Sequence, residues 1–144
     1  MRIASIAVLA GALCLASCDD NNNDVILVSP FVGTFTLQTV NGSALPVIIV
    51  DEISPPRRVE ITSGQIVIAA NRTFTDVIAF RQTIGGVVST QTVSCTGTFT
   101  STGSSFTLVE AIAAPNCGNT FAAVLSGNSL TVTLQPGVQA VFIR

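Results

Sequence analysis

The chain has 144 residues, enough for one domain, and its residues are 48% hydrophobic and only 10% charged. Disorder is excluded, because a disordered chain needs low hydrophobicity and high net charge. The formal net charge of −2, with no lysine in the chain, excludes the basic surface by which proteins bind nucleic acid.

The absence of histidine excludes further classes of function. Histidine is the usual general base near neutral pH and the commonest metal-binding side chain, and this chain has none. Hydrolases that depend on a Ser–His or Cys–His pair are therefore excluded. The cysteines, at positions 14, 18, 95 and 117, do not form the two close pairs of a zinc motif, and no Gly-rich phosphate loop occurs. An enzyme would have to use a pair of carboxylates, and the candidates are Asp51, Glu52, Glu60, Asp76 and Glu110. Each is also an ordinary strand-end or surface acid, so we expect no cofactor, no metal and no catalytic activity.

Residues 1–17 have the pattern of a signal peptide. Arg2 supplies a positive charge, and an apolar stretch too short to span a bilayer comfortably runs from Ile3 to Leu15. The tetrapeptide Leu-Ala-Ser-Cys that ends at Cys18 resembles the lipobox of bacterial lipoproteins. The resemblance implies cleavage before Cys18, attachment of diacylglycerol to its sulfur and acylation of its new amino group. Two or three acyl chains, at about 0.8 kcal/mol per buried methylene group, would hold the mature protein on a membrane.

Residues 18–30 are predicted to be the lipidated cysteine and a polar tether. The segment Asp19–Asp24 contains only Asp and Asn, which cannot bury themselves. A flexible linker of about 11 residues would place the folded domain roughly 17 to 20 Å from its anchor. Asp19 and Asp20 fit both an inner-membrane retention signal and a plain solvated linker. The expected location is the bacterial cell envelope, on either membrane, with the domain in the periplasm or on the extracellular face.

Residues 31–144 are predicted to form a single all-β domain. The segment is rich in Val, Ile, Thr and Phe, and apolar residues alternate with polar ones, most clearly over Val93–Thr100. Such alternation indicates antiparallel strands with one buried face, and closely spaced turn signals leave no room for crossover helices. The predicted strands are residues 33–40, 46–51, 57–62, 65–69, 73–84, 87–100, 105–111, 120–126, 129–135 and 138–144. Alternatively, residues 57–69 form one strand bent at Gly64.

Eight to ten short strands over about 110 residues are expected to close on themselves, because closure removes the exposed sheet edges. The first expectation is an antiparallel meander barrel, and the alternative is a two-sheet sandwich. An eight-stranded barrel is just wide enough to be filled by side chains or to hold one small ligand.

The two ends of this domain resemble those of lipocalin-like barrels. Gly33-Thr34-Phe35 is similar to the Gly-x-Trp that opens such barrels, with Phe in place of Trp. At the other end, Arg144 stands where these barrels often carry a basic residue that packs over the opening aromatic ring. The resemblance covers roughly residues 33–144. It implies that Arg144 stacks on Phe35 and that the barrel binds a small apolar or amphipathic ligand.

Five residues are candidates for contacts with such a ligand. Their parity turns them inward, and they are Phe74, Asp76, Phe80, Phe106 and Glu110. Asp76 and Glu110 are the only acids with this parity, and each lies either at the rim of the barrel or inside a pocket as a polar group. The rim is the expected place, because burying an unpaired carboxylate is unfavourable.

The alternative function is a filled barrel that binds or inhibits an envelope protein through its surface. The candidate surfaces are the loop around Cys117 and the segment Asp51–Arg58, which contains the only paired cations of the chain, Arg57 and Arg58.

Two cysteines remain after removal of the signal peptide and lipidation of Cys18. Cys95 and Cys117 are then an even pair in an oxidising compartment, so we expect a disulfide, with two free thiols as the alternative. Closing a loop of about 23 residues would stabilise the fold by roughly 3 to 3.5 kcal/mol in the chain-entropy account.

Overall fold

The computed structural model describes residues 31–144. The predicted signal peptide (1–17), Cys18 and the rest of the predicted tether lie outside the described residues. The described part of the chain is built from strands and turns. None of its residues forms a helix long and apolar enough to cross a bilayer.

Ten strands follow one another along the chain. They are β1 (Gly33–Val40), β2 (Ser43–Ala44), β3 (Val47–Ile53), β4 (Pro56–Ile68), β5 (Thr73–Ile84), β6 (Val87–Thr102), β7 (Ser105–Glu110), β8 (Thr120–Ser126), β9 (Ser129–Gln135) and β10 (Val138–Ile143).

Eight of these strands close into an antiparallel barrel in the order β1-β10-β9-β8-β7-β6-β5-β4. The ring closes where Gly33–Thr36 of β1 pairs with Gln65–Ile68 of β4. Strands β2 and β3 are additions, because β2 pairs with the end of β1 and β3 pairs with the first half of β4. The all-β, lipocalin-like barrel is confirmed, and the two-sheet sandwich is wrong.

The segment predicted either as two strands or as one bent strand is the single strand β4. Its register with β5 shifts between Ile61 and Ser63, as at a β-bulge, which bends a strand. Gly64 follows the shift, and a Cβ there would lie 2.9 Å from the side chain of Leu37. The short strand β2 was not predicted, because two residues cannot display an alternation.

Large apolar side chains fill the end of the barrel at which β1 begins and β10 ends. The rings of Phe99 and Phe106 are tilted by 57° with their centroids 5.7 Å apart, and Phe31 meets Phe106 edge-on at 4.4 Å. The largest fully buried side chains are Phe35, Phe142, Ile68, Leu108, Leu130 and Val132. This end is therefore a closed hydrophobic core.

Four strands extend beyond the others at the opposite end. Strand β7 leaves β6 at Gly97, so the earlier part of β6 pairs only with β5, and the first half of β4 lies between β5 and β3. We call this sheet the extension. Its tip exposes apolar side chains, of which Val87 is 72% exposed. The barrel is consequently open at this end.

A buried carboxylate joins β4 to β5 on the outside of the extension. Glu60 is 4% exposed and accepts hydrogen bonds from Arg81 at 2.6 Å and from Arg58 at 2.8 Å. The Arg81 hydrogen bond lowers the pKa of Glu60 most, the Arg58 hydrogen bond lowers it further, and desolvation opposes both. The stabilisation from this network is thus present above the ordinary pKa of a glutamate and is lost as pH falls through the lowered value.

Arg144 lies across the closed end, as the resemblance implied. Its guanidinium carbon is 5.6 Å from the centroid of the Phe35 ring, and Nη1 donates a hydrogen bond to the Val32 carbonyl at 3.2 Å. Gly33 permits this approach, because a Cβ there would lie 2.9 Å from Cδ of Arg144.

We predict that Arg144→Ala destabilises the barrel by about 0.5–1 kcal/mol, because it removes a cation from the face of Phe35. The melting temperature should fall by about 2–6 °C. Arg57→Ala is the control, since it removes the same charge from an exposed ion pair with Glu52. An Arg144→Ala protein that melts at the wild-type temperature would show that the contact contributes nothing.

Candidate functional site

The open half of the barrel contains a cavity of about 930 Å³. Its floor is the upper surface of the closed core. Its walls include residues of β3, β4, β5 and β6 and residues of β9 and β10. The apolar side chains of the wall include Val47, Ile61, Ile78, Phe80, Val93, Phe121 and Leu134. Pockets for small molecules have volumes of about 300 to 1,000 Å³ and mostly apolar linings. The cavity is therefore large enough for one small ligand.

The sequence of β5 explains why this half is hollow. Its inward positions begin with Phe74 at the core, continue with Asp76 and Ile78, and reach Gln82 near the mouth. Opposite them, the inward positions of β6 change from Phe99 in the core to Gln91 in the extension. Polar and shorter side chains thus replace several of the rings that fill the closed end, although Phe80 on β5 still lines this half.

Asp76 and Glu110 meet on the cavity wall. Asp76 lies opposite Cys95 in the β5–β6 ladder, and Glu110 lies opposite Gly97, two residues further along the same face of β6. One carboxylate oxygen of each acid and the Cys95 sulfur all lie within 4.8 Å of one another. The register of three neighbouring strands therefore brings two distant acids together.

The two acids differ in their hydrogen bonds. Glu110 is 5% exposed, and its Oε2 accepts hydrogen bonds from the backbone nitrogen of Asn119 at 2.9 Å and from Nδ2 of Asn119 at 3.0 Å. Oδ1 of Asp76 is buried without a hydrogen-bond partner among the described residues. Desolvation raises the pKa of Asp76 to about 6, and the charge of Glu110 contributes to the rise. Asp76 is thus the acid of the pair whose ionised form is less well stabilised.

A disulfide fixes the loop that supports Glu110. Cys95 and Cys117 are bonded, with their Cα atoms 5.7 Å apart, as expected from the sequence. The bond holds residues 111–119 against β6, and Asn116 and Asn119 line the cavity. The role of Asn119 was not predicted. The sequence could have indicated it, because Asn119 lies two residues after Cys117. Pairing of Cys117 with Cys95 brings this loop to the face of the sheet on which Glu110 lies.

The structure brings together four of the five candidate ligand contacts. Phe74, Asp76, Phe80 and Glu110 line the cavity, whereas Phe106 does not. Phe106 lies opposite Ser101 near the closed end, four residues and about 13 Å along β7 from Glu110. Glu110 is the last residue of β7, at the edge of that strand, and both acids line the cavity. Inside the barrel, the asparagine hydrogen bonds compensate the burial of Glu110, and Asp76 adapts through its raised pKa.

The acid pair offers a ligand negative charge and oxygen acceptors. The Cys95 sulfur is closed in the disulfide, so it cannot act as a thiolate ligand to a metal. Of the described cluster, two carboxylates remain, and Oε2 of Glu110 already accepts two hydrogen bonds from Asn119. The arrangement suits hydrogen bonding or charge pairing with an organic group.

Protein-family models, curated proteins and solved structures give no match for this chain. Because one fold serves many functions, the lining of the cavity is the guide to its ligand.

We predict that Asp76→Asn stabilises the protein at pH 8. An acid whose folded pKa is raised from 3.8 to about 6 lowers stability as pH rises through that window, and the loss persists above it. The full shift corresponds to about 3 kcal/mol, which we reduce to about 1 to 2 kcal/mol because the half-buried side chain is partly screened by solvent.

Urea unfolding at pH 4 and at pH 8 measures this effect. The gain from Asp76→Asn should appear at pH 8 and vanish at pH 4, whereas the exposed Asp51→Asn should change little at either pH. Equal effects of Asp76→Asn at both pH values would contradict the assignment of the raised pKa.

Proposed function

We propose that the protein is a non-catalytic, membrane-anchored lipoprotein of the bacterial cell envelope whose barrel binds one small apolar or amphipathic ligand. The cavity of about 930 Å³ above the closed core carries this proposal. The apolar part of a ligand would pack against walls such as Phe80 and Phe121. Its polar part would reach Asp76 and Glu110.

The cavity favours this function over that of a filled barrel acting on an envelope protein, because a filled barrel would leave no such space. The paired cations of the alternative surface also have partners within the chain. Arg58 is 2.8 Å from Glu60, and Arg57 is 3.8 Å from Glu52.

The direction of the barrel suits an anchored binding protein. Phe31, the first described residue, packs at the closed end, opposite the mouth. A lipid on Cys18 would therefore tether the closed end and leave the mouth free to turn away from the membrane. Such a protein would exchange its ligand with the aqueous phase or with a carrier on that side.

We predict that the barrel carries a ligand when it is purified from an oxidising periplasm without detergent. Residues 19–144 contain every strand pairing and the disulfide described above, and native mass spectrometry of this chain should show an adduct of a few hundred daltons. The adduct should be lost on denaturation.

The matched variants for this experiment are Val93→Trp and Val88→Trp on the same strand. Val93 lines the cavity, whereas Val88 is 60% exposed outside it. The first substitution should remove the adduct and the second should leave it. A bare mass for the wild-type chain, together with no uptake of added amphiphiles, would contradict the proposed function.

We predict that Cys18→Ala abolishes incorporation of labelled palmitate and cleavage of the chain before residue 18. Cys14→Ala is the control, because Leu13 precedes Cys14 where the lipobox needs a small residue. Palmitate labelling that survives Cys18→Ala would show that Cys18 is not the lipidation site.

A further inference from the structure

The charges inside the cavity are unevenly placed. Among the described lining residues, the charged side chains are Arg57, Asp76 and Glu110, so the lining carries one cation and two acids. Arg57 lies opposite Ile84, whereas Asp76 lies eight residues earlier on β5. At about 3.3 Å per residue, the cation is roughly 26 Å along the strand from the acid pair. Arg57 therefore does not neutralise the pair.

The nearest described polar neighbours supply no positive charge to Asp76 and Glu110. Asp76 lies between Ile66 on β4 and Cys95 on β6, and it faces Glu110 on β7. Asn119 donates its hydrogen bonds to Glu110 and leaves Oδ1 of Asp76 without a partner among the described residues. Two acids this close repel one another when both are ionised. A group that donates hydrogen bonds and carries positive charge would satisfy both.

We propose that the ligand is an amphipathic amine whose ammonium group binds between Asp76 and Glu110 and whose apolar chain occupies the cavity. This inference rests on the proposed function and names its ligand class. An ammonium group has three donors and no acceptor. Asp76 and Glu110 both line the cavity, so an ammonium group there can donate to their carboxylates while its charge interacts with both acids. A ligand with a carboxylate or phosphate at this position would meet repulsion instead.

The experiment compares three probes that share one chain length and differ in the polar group. Decylamine, 1-decanol and decanoate are titrated by calorimetry into residues 19–144 at pH 7.5, below the concentrations at which they form micelles. Decylamine should bind at least about tenfold more tightly than decanol, since charge-assisted hydrogen bonds are stronger than neutral ones. Decanoate should bind most weakly.

Two variants test whether the ammonium group binds between the two acids. Asp76→Asn and Glu110→Gln should each weaken decylamine binding by about tenfold and leave decanol binding nearly unchanged. The control is Asp51→Asn, which changes net charge equally but lies outside the cavity. Circular dichroism melting of each variant confirms that it is folded. Asp76→Asn is the decisive variant, because the substitution is expected to stabilise the barrel.

A pH series gives a readout without mutation. Decylamine stays protonated between pH 5 and pH 7.5, so a loss of affinity toward pH 5 reports protonation of Asp76. The raised pKa of Asp76, about 6, places the transition within this interval.

The outcomes separate the two proposals. Preferential binding of decylamine that depends on Asp76 and Glu110 supports the amine. Equal binding of the three probes, or decylamine binding unaffected by both variants, overturns the amine while the binding function stands. No binding of any probe, with a bare mass for the purified chain, overturns the binding function itself.

Discussion

The short pairing of β1 with β4 shapes the whole barrel. The two strands are joined only over Gly33–Thr36 and Gln65–Ile68, which closes the ring at one end. The first half of β4 then lies free of β1 and pairs with β3 instead. Closure satisfies the backbone groups that an open sheet would expose. Its restriction to one end produces a sealed core below and an open extension above, and the cavity lies where the two regions meet.

The same chain thus combines a core that stabilises the fold with a site that lowers its stability. Phe35, Phe142 and their neighbours exclude water completely at the closed end. A few residues further along the strands, Asp76 places a carboxyl oxygen in a buried position without a partner among residues 31–144. Local conflicts of this kind tend to mark functional sites, because the remainder of the fold must compensate them. Glu60, also buried but held by two arginines, shows that this chain can satisfy a carboxylate where only structure requires it.

The strand pattern predicted most of the fold, because alternation is a local property that the sequence displays directly. The positions of Phe35, Phe74 and Phe99, the disulfide, and the contact between Arg144 and Phe35 all followed from parity, from cysteine pairing or from a family resemblance. The cavity did not follow. Whether inward side chains meet across the barrel depends on the stagger, that is, on how far each strand is shifted along its neighbour. The alternation of inward and outward residues carries no information on that shift. Phe106 and Glu110 therefore looked equivalent, although they lie at different heights in the barrel.

The stagger between strands also explains why Glu110 accepts hydrogen bonds and Oδ1 of Asp76 does not. Glu110 is the last residue of β7, so the chain turns immediately into the loop that the Cys95–Cys117 disulfide holds against β6. That loop returns Asn119 to Glu110. Asp76 is the fourth residue of β5, and both neighbouring strands continue past it. Asp76 therefore keeps a carboxylate that lines the cavity, is desolvated and lies beside the charge of Glu110, so a ligand cation and a proton would compete for it.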